Sequence, residues 1–183
     1  TTSVPGVQTG APPSNPDADA TTSDGIRVFQ NATPVAVGDL VRVTGIVEEF
    51  ASSGNVFTGS ETQFGSRSVV AKIGEAPVPA PAVLSLPFEL ADGQVYGQER
   101  YEGVLVTLPA GLRAADLYEL GRFGEVGLVS GALPRIPTSA AEDAANNANR
   151  VTLDDARSGQ NLPTLPYTVG GDGRTLPRAG DTL

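Results

Sequence analysis

Asn15, Asp17 and Asp19 place oxygen-bearing side chains at alternating positions near the start of the chain, and Asp24 follows shortly after. Calcium is held by carboxylate and carbonyl oxygens offered at such spacings. Asp17, Asp19 and Asp24 are therefore the candidate metal ligands, and calcium the candidate cofactor. The segment lacks the glycine and the closing glutamate of a helix-loop-helix calcium loop, so a solvated acidic loop stands beside the calcium site as a reading of the same residues. Two carboxylate pairs, Glu48-Glu49 and Asp154-Asp155, have the residue type for metal-assisted or acid-base chemistry. Neighbours on an extended strand point to opposite faces, so neither pair is expected to converge on a substrate.

The residues that are missing narrow the chemistry further. The chain has no histidine and no cysteine. A Ser-His-Asp triad, a histidine-held zinc and a thiol nucleophile are thereby excluded, as is a disulfide framework. The net charge is -9, from 21 acidic and 12 basic residues, and Lys72 is the single lysine. Non-specific nucleic-acid binding draws on one cation for each neutralised phosphate, so the overall balance opposes tight DNA binding. A local arginine patch making about six phosphate contacts would consume half of the basic residues. No apolar run is long enough to span a membrane. Methionine is absent even at residue 1, so the chain reads as a processed product or a piece of a longer polypeptide.

The elements that must position these groups read as strands. With 22 Gly and 15 Pro in 183 residues, turns and loops are favoured over long helices. Gly38-Asp39 forms a turn, after which Val41, Val43 and Val47 fall on one face and Arg42, Thr44 and Glu48 on the other. Gly45 in mid-strand suits a curved sheet. Residues 24–50 thus predict two strands joined by a turn. Further strands are predicted within 55–64, 68–73, 124–130 and 150–153, and 101–108 is the expected central buried strand. Pro77, Pro79, Pro81 and Pro87 mark an extended connector. Gly121-Arg122-Phe123-Gly124 reads as a hairpin turn, and 112–120 as either a strand or a helical turn. Ser139-Ala140-Ala141-Glu142 has the pattern of a capping box ahead of a short helix or a loop. The predicted fold is all-β: a small OB-like barrel with long loops and one short helix over 24–155. A surface loop or tail precedes it at 1–23, and an irregular linker at 156–183 leads toward a further domain. Ala179-Gly180-Asp181 near the end echoes Val37-Gly38-Asp39.

Five blocks then occur in order: residues 22–29, 37–45, 101–106, 117–126 and 149–155, reading TSDGIRVF, VGDLVRVTG, YEGVLV, LYELGRFGEV and NRVTLDD. Together, over about residues 20 to 183, they resemble the OB-fold-like region of bacterial secreted endonucleases. In those proteins the region precedes a metal-dependent endonuclease/exonuclease/phosphatase domain. The resemblance implies an extracellular, non-catalytic module that positions DNA or packs on a downstream nuclease domain, the chain alone being inert as a nuclease. A DNA-contacting face would stack bases on aromatics and meet phosphates with cations. Arg27, Phe29, Arg42, Lys72, Arg122 and Phe123 are the candidates for it. The family's preceding strand is not recognisable in residues 1–10. A barrel short of one strand has an open edge, so the other reading is an interaction module completed by strand donation or joined to further copies through that edge.

Overall fold

The computed structural model describes residues 4–8, 23–29, 33–51, 60–91, 94–95, 97–157, 159–161, 163–164, 167–169 and 174–183. In chain order the elements are β1 (Val4–Gln8), β2 (Gly25–Val28), β3 (Asp39–Thr44), β4 (Val47–Ala51), β5 (Ser60–Phe64), β6 (Val69–Glu75) and β7 (Ala82–Val83). They continue with β8 (Leu90–Ala91), β9 (Gln94–Val95), a 3₁₀ turn at Glu99–Tyr101, β10 (Val106–Thr107), β11 (Arg113–Asp116) and α1 (Leu120–Phe123). The last are β12 (Val126–Val129), α2 (Ala140–Ala148) and β13 (Arg150–Leu153). The fold is all-β with two short helices. Its strands form several small sheets, and among the described residues none closes into the expected barrel. No helix there is long and apolar enough to cross a membrane. Two compact units are present, one made of residues 1–83 and 98–107, the other of 84–97 and 108–183.

In the first unit a four-stranded sheet runs β1-β2-β5-β4, and β3 pairs antiparallel with β6. The two strands expected within 24–50 are present but are not partners. β2 lies between β1 and β5, and β3 belongs to the separate ribbon. Residues 4–8, read from sequence as part of a tail, supply an antiparallel strand to the edge of β2. The alternation in β3 holds, with Val41 and Val43 half-buried and Arg42 and Thr44 exposed. It does not carry through to Val47. The chain bends at Gly45, where a side chain would collide with Ser68, and beyond the bend Val47 emerges 52% exposed. The predicted buried strand over 101–108 is also corrected. The 3₁₀ turn and Gly103, at φ +65°, break the extended path, leaving only β10, which runs parallel to β7.

The buried strand is β12, in the second unit. All four of its residues are shielded from water, and it pairs antiparallel with β11 on one side and β13 on the other. Val126 and Leu128 join Leu112, Ala114 and Leu120 in one apolar cluster, flanked by Leu86, Leu117, Val151, Leu153 and Tyr167. The expected hairpin turn at 121–124 is instead the single-turn helix α1, ended by Gly124 in the left-handed region at φ +80°. Of the predicted capping box only the Ser139 arm forms, the glutamate reaching one residue further back to Thr138. Ser139 Oγ accepts from Glu142 N, and Glu142 Oε2 accepts from Thr138 N at 2.6 Å. Within the expected 156–183 segment, Thr182 bridges Arg113 and Ala114 N donates to Asp181 O. The echo noted in the sequence is a repeated turn. Gly38 and Gly180 sit at φ +95° and +97°. Asp39 N donates to Ala36 O and Asp181 N to Arg178 O, both at 3.0 Å. Each aspartate carboxylate accepts the amide three residues back, from Ala36 at 2.9 Å and Arg178 at 2.8 Å. The two turns start strand segments in different units.

Leu128 is 2% exposed and Val69 66% exposed. Truncating a buried leucine costs about 2–5 kcal/mol, whereas a surface change stays within roughly 0.5 kcal/mol. Leu128→Ala is therefore expected to lower the urea midpoint strongly and Val69→Ala hardly at all, as followed by circular dichroism.

Candidate functional site

Asp17 and Asp19 lie outside the described residues. Asp24 stands immediately before β2. Among the described residues no group of three acidic, histidine or cysteine side chains is placed to hold a metal ion. The carboxylate pairs diverge as an extended backbone requires. Glu48 Oε1 accepts from Gln63 Nε2 at 3.2 Å, while Glu49 Oε1 accepts from Thr62 Oγ1 at 2.6 Å. Asp154 is exposed, whereas the Asp155 side chain is buried.

The six candidate nucleic-acid contacts divide between the units. Arg27, Phe29, Arg42 and Lys72 belong to the first, Arg122 and Phe123 to the second. Two of the cations are already neutralised. Arg27 Nη1 meets Glu61 Oε2 at 2.6 Å, and Lys72 Nζ meets Asp39 Oδ1 at 2.5 Å with Glu75 Oε1 at 3.4 Å. The Lys72 ammonium and a hydrogen bond from the Ala36 backbone N–H hold the Asp39 carboxyl below the usual carboxylate range. Arg42 is exposed. It is opposite Ala71 while Lys72 is opposite Val41, so the two cations lie on different faces of the ribbon and form no common patch. Phe29 is 36% exposed, at the margin of the surface. Arg122 stacks over the Phe123 ring at 4.7 Å and donates to Gln160 Oε1 at 3.1 Å. Its guanidinium is thus engaged within its own unit.

Two features escaped sequence reasoning. The first is an acidic group in the first unit. Glu102 Oε1 accepts from Thr62 N at 2.6 Å, with Glu49, Glu61 and Glu99 close enough to act on it. Burial, then these like charges, push the Glu102 carboxyl above its ordinary value despite the amide bond. Glu49, Glu61 and the Glu99/Glu102 pair come from three separate stretches of chain, so spacing carried no sign of their meeting. The second is the outer face of the β3–β6 ribbon. Register puts Leu40, Arg42 and Thr44 with Val69 and Ala71 on this face, and Ile73 sits at the bulge beside Leu40. Leu40, Val69 and Ile73 are 44%, 66% and 52% exposed. A signal was present in the run Val69-Val70-Ala71, which is apolar at both parities and so cannot hide all its side chains against one core.

The second unit has a cleft of about 350 Å³ lined by Phe88, Leu90, Ala145 and Ala148, with Ser130 and Asn149 as polar members. None of these lining side chains is an acid or a base, so the cleft offers binding surface without proton-transfer chemistry.

The raised Glu102 carboxyl has a defined pH consequence. A glutamate that ionises at higher pH in the folded than in the unfolded state weakens the fold above its folded value. The penalty disappears as the pH falls below the ordinary glutamate range, where both states are protonated. Glu102→Gln retains an oxygen for Thr62 N. It is expected to melt above wild type at pH 7, the gap closing toward pH ~4; a gap that persists or widens in acid contradicts the assignment. Compared with known proteins, the chain matches no family model, no curated protein and no solved structure.

Proposed function

We propose that this chain is a non-catalytic β-module whose β3–β6 ribbon packs its outer apolar face against another folded protein domain. The observation that carries the reading is the exposure of Leu40, Val69 and Ile73 on one sheet face with a single cation, Arg42, among them. Leu40 and Ile73 stand at one end of the ribbon and Val69 at the other, with Arg42 and Ala71 between them, and exposed apolar side chains gathered on one face mark contact sites on proteins. Fully burying an aliphatic side chain gains about 1.5–3 kcal/mol, so three partly exposed ones reward a partner appreciably. The sequence resemblance supplies the partner: the downstream catalytic domain of a secreted endonuclease, in an extracellular setting.

The DNA-positioning reading has weaker support. It needs cations gathered on one face, and Arg27 and Lys72 are held by Glu61, Asp39 and Glu75. Strand donation at β2 is unnecessary as well, since β1 fills that edge. Arg42 is the residue on which DNA contact would turn. Fluorescence anisotropy of a labelled single-stranded oligonucleotide in ~20 mM salt is expected to show no binding by wild type. Micromolar binding that weakens steeply with salt and is lost in Arg42→Glu would replace the packing function with a DNA-contacting one.

A further inference from the structure

The connection from β12 to α2 is a stretch of chain offered to the solvent. Every residue from Gly131 to Ser139 is exposed, and Ile136, at 90%, is the most exposed large apolar side chain among the described residues. Pro134 and Pro137 fix their own φ, and they hold Leu133 and Ile136, which precede them, in extended conformations. The prolines thus favour an extended path around Arg135, and the segment 133–137 pairs with no strand among the described residues. Arg135, in its middle, forms no ion pair among the described residues. Two side chains of α2 tie the loop down on either side of the Arg135–Ile136 bond. Asn146 Nδ2 donates to Arg135 O at 3.0 Å, and Glu142 Oε2 accepts from Thr138 N and Thr138 Oγ1.

We propose that the Arg135–Ile136 peptide bond is a processing site for an arginine-specific endopeptidase, and that Asn146 is the latch that sets the rate of cutting. An enzyme of this class has an anionic specificity pocket, which the unpaired Arg135 guanidinium fits. Its cleft takes several residues in extended form, the shape already imposed on this loop, so little ordering is needed on binding. Hydrolysis adds water across the bond. The water oxygen bonds to the Arg135 carbonyl carbon, the C–N bond breaks, and the electron pair and a proton leave on the Ile136 amine. The Arg135 carbonyl oxygen must turn into the protease's oxyanion donors for this to occur. Asn146 holds that oxygen, so its hydrogen bond has to break first. Several other exposed arginines are held at the backbone. Arg42 is in the β3 ladder, and the amides of Arg157 and Arg178 are held by Asp155 and Asp181.

The test is limited digestion of the native full chain by trypsin at a low enzyme ratio, read by intact mass. The first products are expected to be residues 1–135 and 136–183. Arg135→Gln should remove that pair and leave later cuts unchanged. Asn146→Ala should raise the initial rate about fivefold, the factor carried by one hydrogen bond of ordinary net strength. First cleavage at another residue, such as Arg67 in its exposed turn, overturns the site. An unchanged rate in Asn146→Ala overturns the latch.

Discussion

The four residues of β12, Val126 to Val129, are closed off from water, and the second unit is arranged to keep them so. A strand buried to this degree must have its backbone groups paired on both sides and side chains over both faces. β11 and β13 supply the pairing. Leu112, Ala114 and Leu120, with the flanking Leu117, Val151 and Leu153, cover Val126 and Leu128, while Asp116 and Arg150 lie over Gly127. α1 delivers Leu120 to the cluster and stops at Gly124, which frees the chain to enter β12. The last residues of the chain lie along β11, so the sheet is framed on that side by backbone as well.

The first unit is built under the same rule but satisfies it less completely. Its described apolar side chains are buried at Val28 and Val70, while Leu40, Ile46, Val47, Phe50, Val69 and Ile73 face solvent. A two-stranded ribbon has little independent stability, and the β3–β6 ribbon carries Leu40, Val69, Ala71 and Ile73 on its outer side beside Arg42 and Thr44. Charge does not explain that surface. Two of the unit's cations are held by acids, in the Arg27–Glu61 and Lys72–Asp39 pairs. The glutamates around Glu102 add like-charge repulsion. An anionic polymer would find little to neutralise there, whereas an apolar protein surface would find side chains to cover.

Much of this was legible in the residues, and the failures have identifiable causes. The alternation of β3, the Gly-Asp turn, the Ser139 cap of α2 and the β13 strand follow from local periodicity and turn chemistry, and the structure has each of them. Strand partnership was not legible. β2 and β3 are neighbours in sequence yet belong to different sheets, because pairing is decided by long-range register. Gly103 and Gly124 each diverted a segment whose side-chain pattern said otherwise, one ending a predicted strand and the other ending a helix where a hairpin turn was expected. Among the candidate site residues, Arg27 and Lys72 were rightly placed on strands. Their counter-ions, however, come from other segments, and spacing in one chain carries no record of such meetings.

The central claim is that the outer face of the β3–β6 ribbon is an apolar surface awaiting a protein partner. Its most direct measurement is the fluorescence of an anilinonaphthalene sulfonate dye added to the native chain, compared with Val69→Lys and Leu40→Lys variants of unchanged circular dichroism. The account predicts a blue-shifted, enhanced emission with wild type that falls severalfold in either variant. Emission no greater than that of free dye, or emission indifferent to both substitutions, would contradict it.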